Sequence, residues 1–151
     1  MNYSEIYEKA LIIIHEEMLS RENKLQKLCE FLKSELPTYD WVGFYLASDN
    51  KPELYLLVYA GAETDHTIIP FGKGICGQVA VSNQSFLVAD VAAQDNYIAC
   101  SIDVKSEIVV PIFVKGKNIG QIDVDSHTVS AFTEDDRVFL EKINREVALL
   151  F

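Results

Sequence analysis

The fold class is decided by the stretch Ile108-Val-Val-Pro-Ile-Phe-Val-Lys-Gly-Lys-Asn-Ile-Gly-Gln-Ile-Asp-Val124. Two runs rich in β-branched residues flank the short turn Lys115-Gly-Lys117, which is the pattern of a β-hairpin. Side chains alternate between the two faces of a strand, so Asp123 and Asp125 share one face. The apolar residues between them point the other way, which predicts that one face of the hairpin packs on a core.

Further strands are predicted on the N-terminal side of this hairpin. Apolar runs rich in aromatic and β-branched residues, separated by turn residues, indicate short strands. Three glycines within residues 71–77 indicate a tight turn with close backbone approach. The predicted segments are strands at 41–46 and 54–59 joined by a turn at 49–52, a strand at 67–69, a short helix through 79–81, a strand at 86–88 and a long loop at 89–105.

Helices are predicted at both ends of the chain, because apolar residues there recur three or four positions apart. Pro37 ends the second helix, and Thr133 with Asp136 resembles a capping box at the start of the last one. The apolar stripes are Ile6, Ala10, Leu11, Ile14 and Met18, then, after a break near Ser20, Leu25, Leu28, Leu32 and Leu36, and finally Phe139, Ile143, Val147 and Leu150.

This order of elements predicts an α+β fold. We expect an antiparallel sheet with the N- and C-terminal helices on one face and a small-molecule pocket on the other. Residues 1–151 are expected to form a single domain, with a helical segment over 1–37 and a core over 38–151.

Composition and charge exclude several classes of function. The 151 residues carry a net charge of −10, which opposes binding to nucleic acids or anionic membranes. No apolar run reaches the length of about 20 residues that crosses a bilayer, and the start lacks a basic signal-peptide region. Three cysteines without a CxxC pair, and three scattered histidines, predict a reduced cytoplasmic protein with no metal site. The stretch Gly72-Lys73-Gly74 lacks the spacing of a phosphate-binding loop.

Three acidic residues are candidates for chemistry. Asp123 and Asp125 share a face, and Glu107 opens the neighbouring strand within reach of them if the hairpin is regular. On a solvated face, the more common arrangement, they would only be hydrated. On a covered face, desolvation and mutual repulsion would keep at least one acid protonated near neutral pH, and an ionised neighbour could hold an ammonium group.

Trp41 and Tyr45 share a face of the first predicted strand. Two aromatic rings there could clasp an apolar or cationic group of a small molecule. Core packing is the commoner reason for such a pair, so both interpretations stay open.

The three cysteines lie in different contexts. Cys29 lies beside the apolar stripe of the second helix and is predicted to be a small buried side chain. Cys76 lies at the start of a helix, where backbone amides favour a thiolate. Cys100 ends the long loop, where a thiol can meet a partner and separate from it. A buried, inert thiol is the alternative for both Cys76 and Cys100.

Several short segments, taken in their order and spacing, resemble the free methionine-(R)-sulfoxide reductases, which are stand-alone GAF domains. The resemblance runs from about residue 40 to the C-terminal helix. The segments are Asp40-Trp-Val-Gly-Phe-Tyr-Leu46, Ile69-Pro-Phe-Gly-Lys-Gly-Ile-Cys-Gly77, Val88-Ala-Asp-Val91, Ile98-Ala-Cys100, Ser106-Glu-Ile-Val-Val-Pro111 and Ile119-Gly-Gln-Ile-Asp-Val-Asp-Ser126.

The resemblance implies a GAF fold and reduction of free L-methionine (R)-S-oxide. It also implies that thioredoxin or another dithiol is the reductant and that no cofactor is needed. The residues that match the family's site are Cys100 as catalytic cysteine, Cys76 as a second family cysteine, Trp41 and Tyr45 as pocket aromatics, and Glu107, Asp123 and Asp125 as the acids that bind substrate and assist proton transfer.

The chain departs from the family pattern at His66, where the resemblance implies a third, resolving cysteine. Cys76 could take that role, the reductant thiol could attack the oxidised cysteine directly, or the activity could be altered. A non-catalytic GAF sensor or binding module is the alternative function, and the lack of an output domain in the sequence counts against it. A homodimer is expected, because GAF domains often pair through their terminal helices.

Overall fold

The computed structural model describes residues 2–95 and 103–151. The helices are α1 (Tyr3–Ile14), α2 (Arg21–Glu35), α3 (Gly74–Ser82) and α4 (Glu134–Val147), with 3-10 turns at Val91–Ala93 and Ala148–Leu150. The strands are β1 (Trp41–Ala47), β2 (Glu53–Ala60), β3 (Ile68–Pro70), β4 (Phe86–Val88), β5 (Ser106–Val114) and β6 (Lys117–Ser126).

One six-stranded antiparallel sheet organises the described residues. Its strand order is β3-β2-β1-β6-β5-β4, so the two predicted hairpins meet along β1 and β6 at the centre. The two-residue turn between β5 and β6 has positive φ at Lys115 (53°) and Gly116 (77°), the backbone of a tight hairpin turn. Lys117, expected in the turn, instead begins β6.

The terminal helices pack on one face of the sheet, as predicted. Leu28, Leu32 and Ile143 form a buried core with Phe44, from β1, and Val124, from β6. Each of these five side chains is fully buried. The apolar residues of α2 and α4 recur every three or four positions because that spacing places them on the one helix face that packs on the sheet. Hydrophobic burial is the dominant favourable term in folding, and this face holds the larger of the two cores.

The opposite face carries a second, smaller core. Trp41 and Tyr45, from β1, pack there with Ile75 and Val79 of α3 and with Val109 of β5. The short helix α3 therefore covers the sheet face that the terminal helices leave uncovered. Alternation along β1 is as predicted, since Phe44 lies in the helix-side core and Tyr45 in the other.

The predicted starts of α2 and α4 are confirmed, whereas the C-terminal ends of α1 and α4 come earlier than predicted. Ser20 caps α2, and the capping box of Thr133 and Asp136 is present at α4. The prediction that Met18 continues the first stripe is wrong, because α1 ends at Ile14 and Met18 is 89% exposed. Leu150, expected on the last helix, lies in the 3-10 turn that follows it.

The long loop predicted at 89–105 contains the short 3-10 turn Val91–Ala93 within its described part. Among the helices of the described residues, none combines the length and apolar character that a membrane crossing needs.

Candidate active site

Three buried carboxyl groups lie together on the sheet face covered by α3. Glu107 is 5% exposed, Asp123 1% and Asp125 2%. Glu107 lies directly opposite Asp125 in the pairing of β5 with β6, and Asp123 is two residues along β6 on the same face. The expected convergence is confirmed, and the alternative of a solvated sheet face is wrong, because the second core covers this face.

Burial changes the acid strength of this cluster. It raises the pKa of Asp123 and raises the pKa of Asp125 well above its usual range. The charge of Asp123 raises the pKa of Asp125 further, whereas hydrogen bonding with Glu107 acts in the opposite direction on both aspartates. Asp123 and Asp125 therefore hold protons more tightly than exposed carboxyl groups do.

Two carboxylate oxygens in this cluster are buried without a hydrogen-bond donor among the described residues. Asp123 Oδ1 and Asp125 Oδ1 accept no hydrogen bond from any residue that the structure describes. Buried acceptors of this kind are uncommon in folded proteins, because the lost hydration is not replaced. They are the atoms best suited to receive a hydrogen-bond donor or a cation from outside the protein.

Cys76 lies beside the acids, in the first turn of α3. Its side chain is 4% exposed, and its Sγ is 4.0 Å from Glu107 Oε2. Burial, followed by the charges of Asp123, Glu107 and Asp125, raises the pKa of the Cys76 thiol well above its usual range. The prediction that the helix start favours a thiolate is therefore wrong, since desolvation and three acids outweigh the helix dipole.

Gln121 joins α3 to the sheet and was not singled out in the sequence. It is fully buried on β6, and its Nε2 donates a hydrogen bond to the Cys76 carbonyl oxygen over 3.1 Å. Strand alternation would have identified Gln121 as a site residue, because it lies two residues before Asp123 and so shares its face of β6. This contact holds the backbone of Cys76 against the strand that carries the aspartates.

Trp41 and Tyr45 lie on the face predicted for them. Their ring centroids are 6.4 Å apart, and Trp41 stacks on Tyr59 at 5.5 Å. Trp41 Nε1 donates to the Ala62 carbonyl oxygen over 3.0 Å, and the Tyr45 hydroxyl donates to the His66 carbonyl oxygen over 2.8 Å. Both rings belong to the second core, which confirms the packing interpretation. Tyr45 and Trp41 each line a cavity as well, and a role in clasping a small molecule stays a prediction.

Two cavities adjoin this cluster. The smaller one, about 20 Å³, is here called the acid cavity, and its lining includes Tyr45, His66, Lys73, Cys76, Glu107 and Asp123. The larger one, about 570 Å³, is here called the outer cleft, and its lining includes Lys33, Asp40, Trp41, Glu63, Asp125 and His127. A further groove of about 470 Å³ runs beside α4, and the described residues that line it include neither a cysteine nor any of the three acids.

The predicted nucleophile Cys100 lies outside the described residues. Of the other six residues predicted for the site, Cys76, Glu107 and Asp123 line the acid cavity together with Tyr45, while Trp41 and Asp125 line the outer cleft. Their roles in catalysis and binding stay predictions.

The sequence profile of the GAF domain family matches residues 19–151. The chain is 38% identical over 109 residues to protein YtsP of Bacillus subtilis, covering 72% of this chain and 66% of that protein. It is 37% identical over 112 residues to the free methionine-R-sulfoxide reductase of Saccharomyces cerevisiae, covering 74% of this chain and 62% of that enzyme. The chain thus spans slightly under two thirds of the length of both relatives.

A solved structure resembles the whole described fold. It is the free methionine-R-sulfoxide reductase of Neisseria meningitidis in complex with its substrate. The TM-score is 0.93 at 34% sequence identity, and the match covers 99% of this chain and 87% of that chain.

Proposed function

This chain belongs to the GAF domain family and, within it, to the free methionine-(R)-sulfoxide reductases, and from that premise we propose that it reduces free L-methionine (R)-S-oxide to methionine. The observation that carries the proposal is the cluster of Glu107, Asp123 and Asp125, buried beside the Cys76 thiol. A module that only binds a ligand needs a pocket, but it has no need of three buried acids next to a thiol.

The substrate is an amino acid with a free ammonium group. We propose that this ammonium is held at Asp125 Oδ1, where the structure describes no protein donor, and that its positive charge favours the ionised form of a carboxyl group whose pKa burial raises. Trp41 lines the same outer cleft and offers a ring face to the apolar side chain or the cation. Methionine sulfoxide within a peptide has no such ammonium group, so free amino acid is preferred.

The chemical step is a two-electron reduction of the sulfoxide sulfur. The Cys100 thiolate attacks that sulfur while a neutral carboxyl group of the cluster protonates the sulfoxide oxygen, which is otherwise a poor leaving group. The attack forms a bond between the Cys100 sulfur and the substrate sulfur, and the substrate oxygen leaves as water after taking up protons from the cluster. A water molecule then attacks the Cys100 sulfur, the sulfur–sulfur bond breaks, methionine leaves with its electron pair, and Cys100 becomes a sulfenic acid. Cys100 is thereby oxidised by two electrons as the substrate is reduced by two.

Regeneration removes the oxygen as water. We propose that the Cys76 thiol condenses with the Cys100 sulfenic acid, forming a disulfide and releasing one water molecule. Thioredoxin or another dithiol then reduces that disulfide by thiol–disulfide exchange. Such a reductant acts in a reducing compartment, so a cytoplasmic location is part of the proposal.

The test is a stereospecific turnover assay with the purified chain and each epimer of free methionine sulfoxide. With thioredoxin, thioredoxin reductase and NADPH, we expect consumption of the R epimer alone, and loss of turnover by about 1000-fold or more in Cys100→Ser. Cys76→Ser should lower the rate with thioredoxin, whereas Cys29→Ala, altered in the opposite core, should turn over normally.

Three results would overturn parts of this assignment. Normal turnover by Cys100→Ser refutes Cys100 as the nucleophile. Saturable binding of the sulfoxide by the unaltered chain, with no dithiol-dependent product, shows a binding module instead of an enzyme. Undiminished thioredoxin-dependent turnover by Cys76→Ser shows that the reductant attacks the sulfenic acid directly.

A further inference from the structure

Three metal-binding side chains converge on the acid cavity from separate elements. Cys76 comes from α3, Glu107 from β5 and Asp123 from β6, and one ligand atom of each lies within 4.8 Å of the other two. Side chains from three elements that meet this closely are held by the fold, because β5 and β6 are paired here and Gln121 fixes α3 to β6.

The surroundings of these atoms are those of a small closed site. All three side chains are at least 95% buried, and the acid cavity of about 20 Å³ has room for one water-sized ion. Asp123 Oδ1 is buried and accepts no hydrogen bond from the described residues.

Ligand chemistry selects the ion. A thiolate with two carboxylates suits Zn²⁺ or a similar borderline-soft cation, whereas Mg²⁺ and Ca²⁺ prefer oxygen ligands alone. Bond lengths of about 2.3 Å to sulfur and about 2.0–2.2 Å to oxygen put tetrahedral ligand atoms roughly 3.5 Å apart. The 4.0 Å between Cys76 Sγ and Glu107 Oε2 is close to that separation, so small side-chain movements close the site.

We propose that Cys76, Glu107 and Asp123 form a binding site for Zn²⁺ or a cation of the same class. On binding, the ion takes the place of the thiol proton and of any carboxyl proton, and these protons pass to solvent. The ion also takes carboxylate oxygens that the proposed reaction uses, so it excludes methionine sulfoxide; this last consequence rests on the proposed function.

The direct test uses the unaltered chain, kept reduced with a phosphine that contains no thiol. Zn²⁺ titrated in competition with a chelating dye should bind at one ion per chain, and a large excess of Mg²⁺ should leave the binding unchanged. Co²⁺ in place of Zn²⁺ should give a thiolate-to-metal charge-transfer band in the near ultraviolet. No uptake at micromolar Zn²⁺, or a cobalt spectrum without that band, overturns the proposal without any need for a variant.

Variants then locate the site. Cys76→Ser and Asp123→Asn should each weaken Zn²⁺ binding by about tenfold or more, and Cys76→Ser should abolish the cobalt thiolate band. Cys29→Ala and His127→Ala are matched controls from the opposite core and the outer cleft, and both should bind as the unaltered chain does. Unweakened binding by Cys76→Ser, or a band lost only in Cys100→Ser, shows that the ion lies elsewhere.

Failure of the reductase proposal remains distinguishable from failure of this one. Zinc binding is measured without substrate, so a chain that turns nothing over can still bind the ion at Cys76. A chain that reduces methionine sulfoxide but takes up no Zn²⁺ retains its proposed function and loses only the metal site.

Discussion

At the scale of the residue, surroundings determine what a cysteine can do. Cys29 and Cys76 are both buried, but Cys29 lies among aliphatic side chains under the terminal helices and Cys76 lies beside three acids. The sequence identified Cys29 correctly from its helical spacing. For Cys76 the sequence pattern favoured a thiolate, whereas the structure raises the pKa of the thiol. A helix start is visible in the sequence, but the approach of acidic side chains from β5 and β6 is not.

Cys29 should be unreactive in the folded protein. Complete burial raises the pKa of its thiol far above the usual range, so little thiolate forms and little reagent reaches it. With iodoacetamide at pH 8, followed by peptide mass spectrometry, we expect alkylation of Cys29 at least about 100-fold slower than in urea. Equal rates with and without urea would contradict the buried position.

Gly43 leaves space for the ring of Trp41. A Cβ at position 43 would lie 2.6 Å from Trp41 Cζ3, so Gly43→Ala must displace that ring from its stack on Tyr59. We expect a several-fold higher KM for methionine sulfoxide with a smaller change in kcat. Trp41 is the only tryptophan, so a shifted emission spectrum reports the displacement directly. An unchanged spectrum together with an unchanged KM would count against a role for Trp41 in binding.

At the scale of the element, α3 is positioned by polar contacts at both ends. Gln121 holds its first turn through the Cys76 carbonyl, and Asn118 Nδ2 donates to the Val79 carbonyl oxygen over 3.3 Å near its last turn. The sequence located this helix from the glycine turn before it. It did not indicate the tethers, because each depends on which strand lies beneath the helix.

Gln121→Leu should loosen α3 from the sheet. The substitution removes the hydrogen bond from Gln121 to the Cys76 carbonyl oxygen, at a cost of about 0.5–1.5 kcal/mol in the free energy of unfolding. Hydrogen exchange should speed up for the amides of α3 and stay unchanged for those of α4. Asn118→Ala is the matched control, and its effect should be smaller because that contact is partly exposed. If the amides of α3 exchange as slowly in Gln121→Leu as in Asn118→Ala, Gln121 does not tether this helix to the sheet.

At the scale of the whole molecule, one buried carboxylate ties distant parts of the chain together. Asp136 of α4 accepts a hydrogen bond from the Tyr3 hydroxyl of α1 and another from the Tyr39 hydroxyl before β1, each over 2.8 Å. Burial and the charge of Asp136 raise the pKa of both tyrosines above the usual value of 10.0.

These shifts predict lower stability at high pH. Above about pH 10 the tyrosines ionise in the unfolded chain while the folded chain keeps them protonated, so the free energy of unfolding falls as pH rises. Tyr39→Phe should cost about 1 kcal/mol at neutral pH and make the alkaline decline shallower, as measured by urea unfolding from pH 8 to 11. Tyr55→Phe, an exposed control, should leave both unchanged. If the free energy of unfolding of Tyr39→Phe declines with pH as steeply as that of the unaltered chain, Tyr39 does not contribute to the alkaline decline.

Periodicity made most of the architecture predictable. Spacings of three or four identified α2 and α4, alternation identified β1, β5 and β6, and the face shared by Asp123 and Asp125 followed from the same rule. What could not be predicted was which residues of that face lie beneath its cover. Whether the acids lie in solvent or in a core depends on where α3 lies on the sheet, and no local pattern encodes that long-range packing.

The alternation of β6 has a consequence for how such a protein can change. Ile122 and Val124 build the helix-side core, while Gln121, Asp123 and Asp125 form the reactive side of the same strand. Substitutions can therefore vary one side and leave the other intact. An inserted or deleted residue within this strand would exchange the two sides, sending the acids under the helices and the aliphatic groups into the pocket. Sequence drift here must proceed by replacement at fixed length, and engineered insertions belong in the loops.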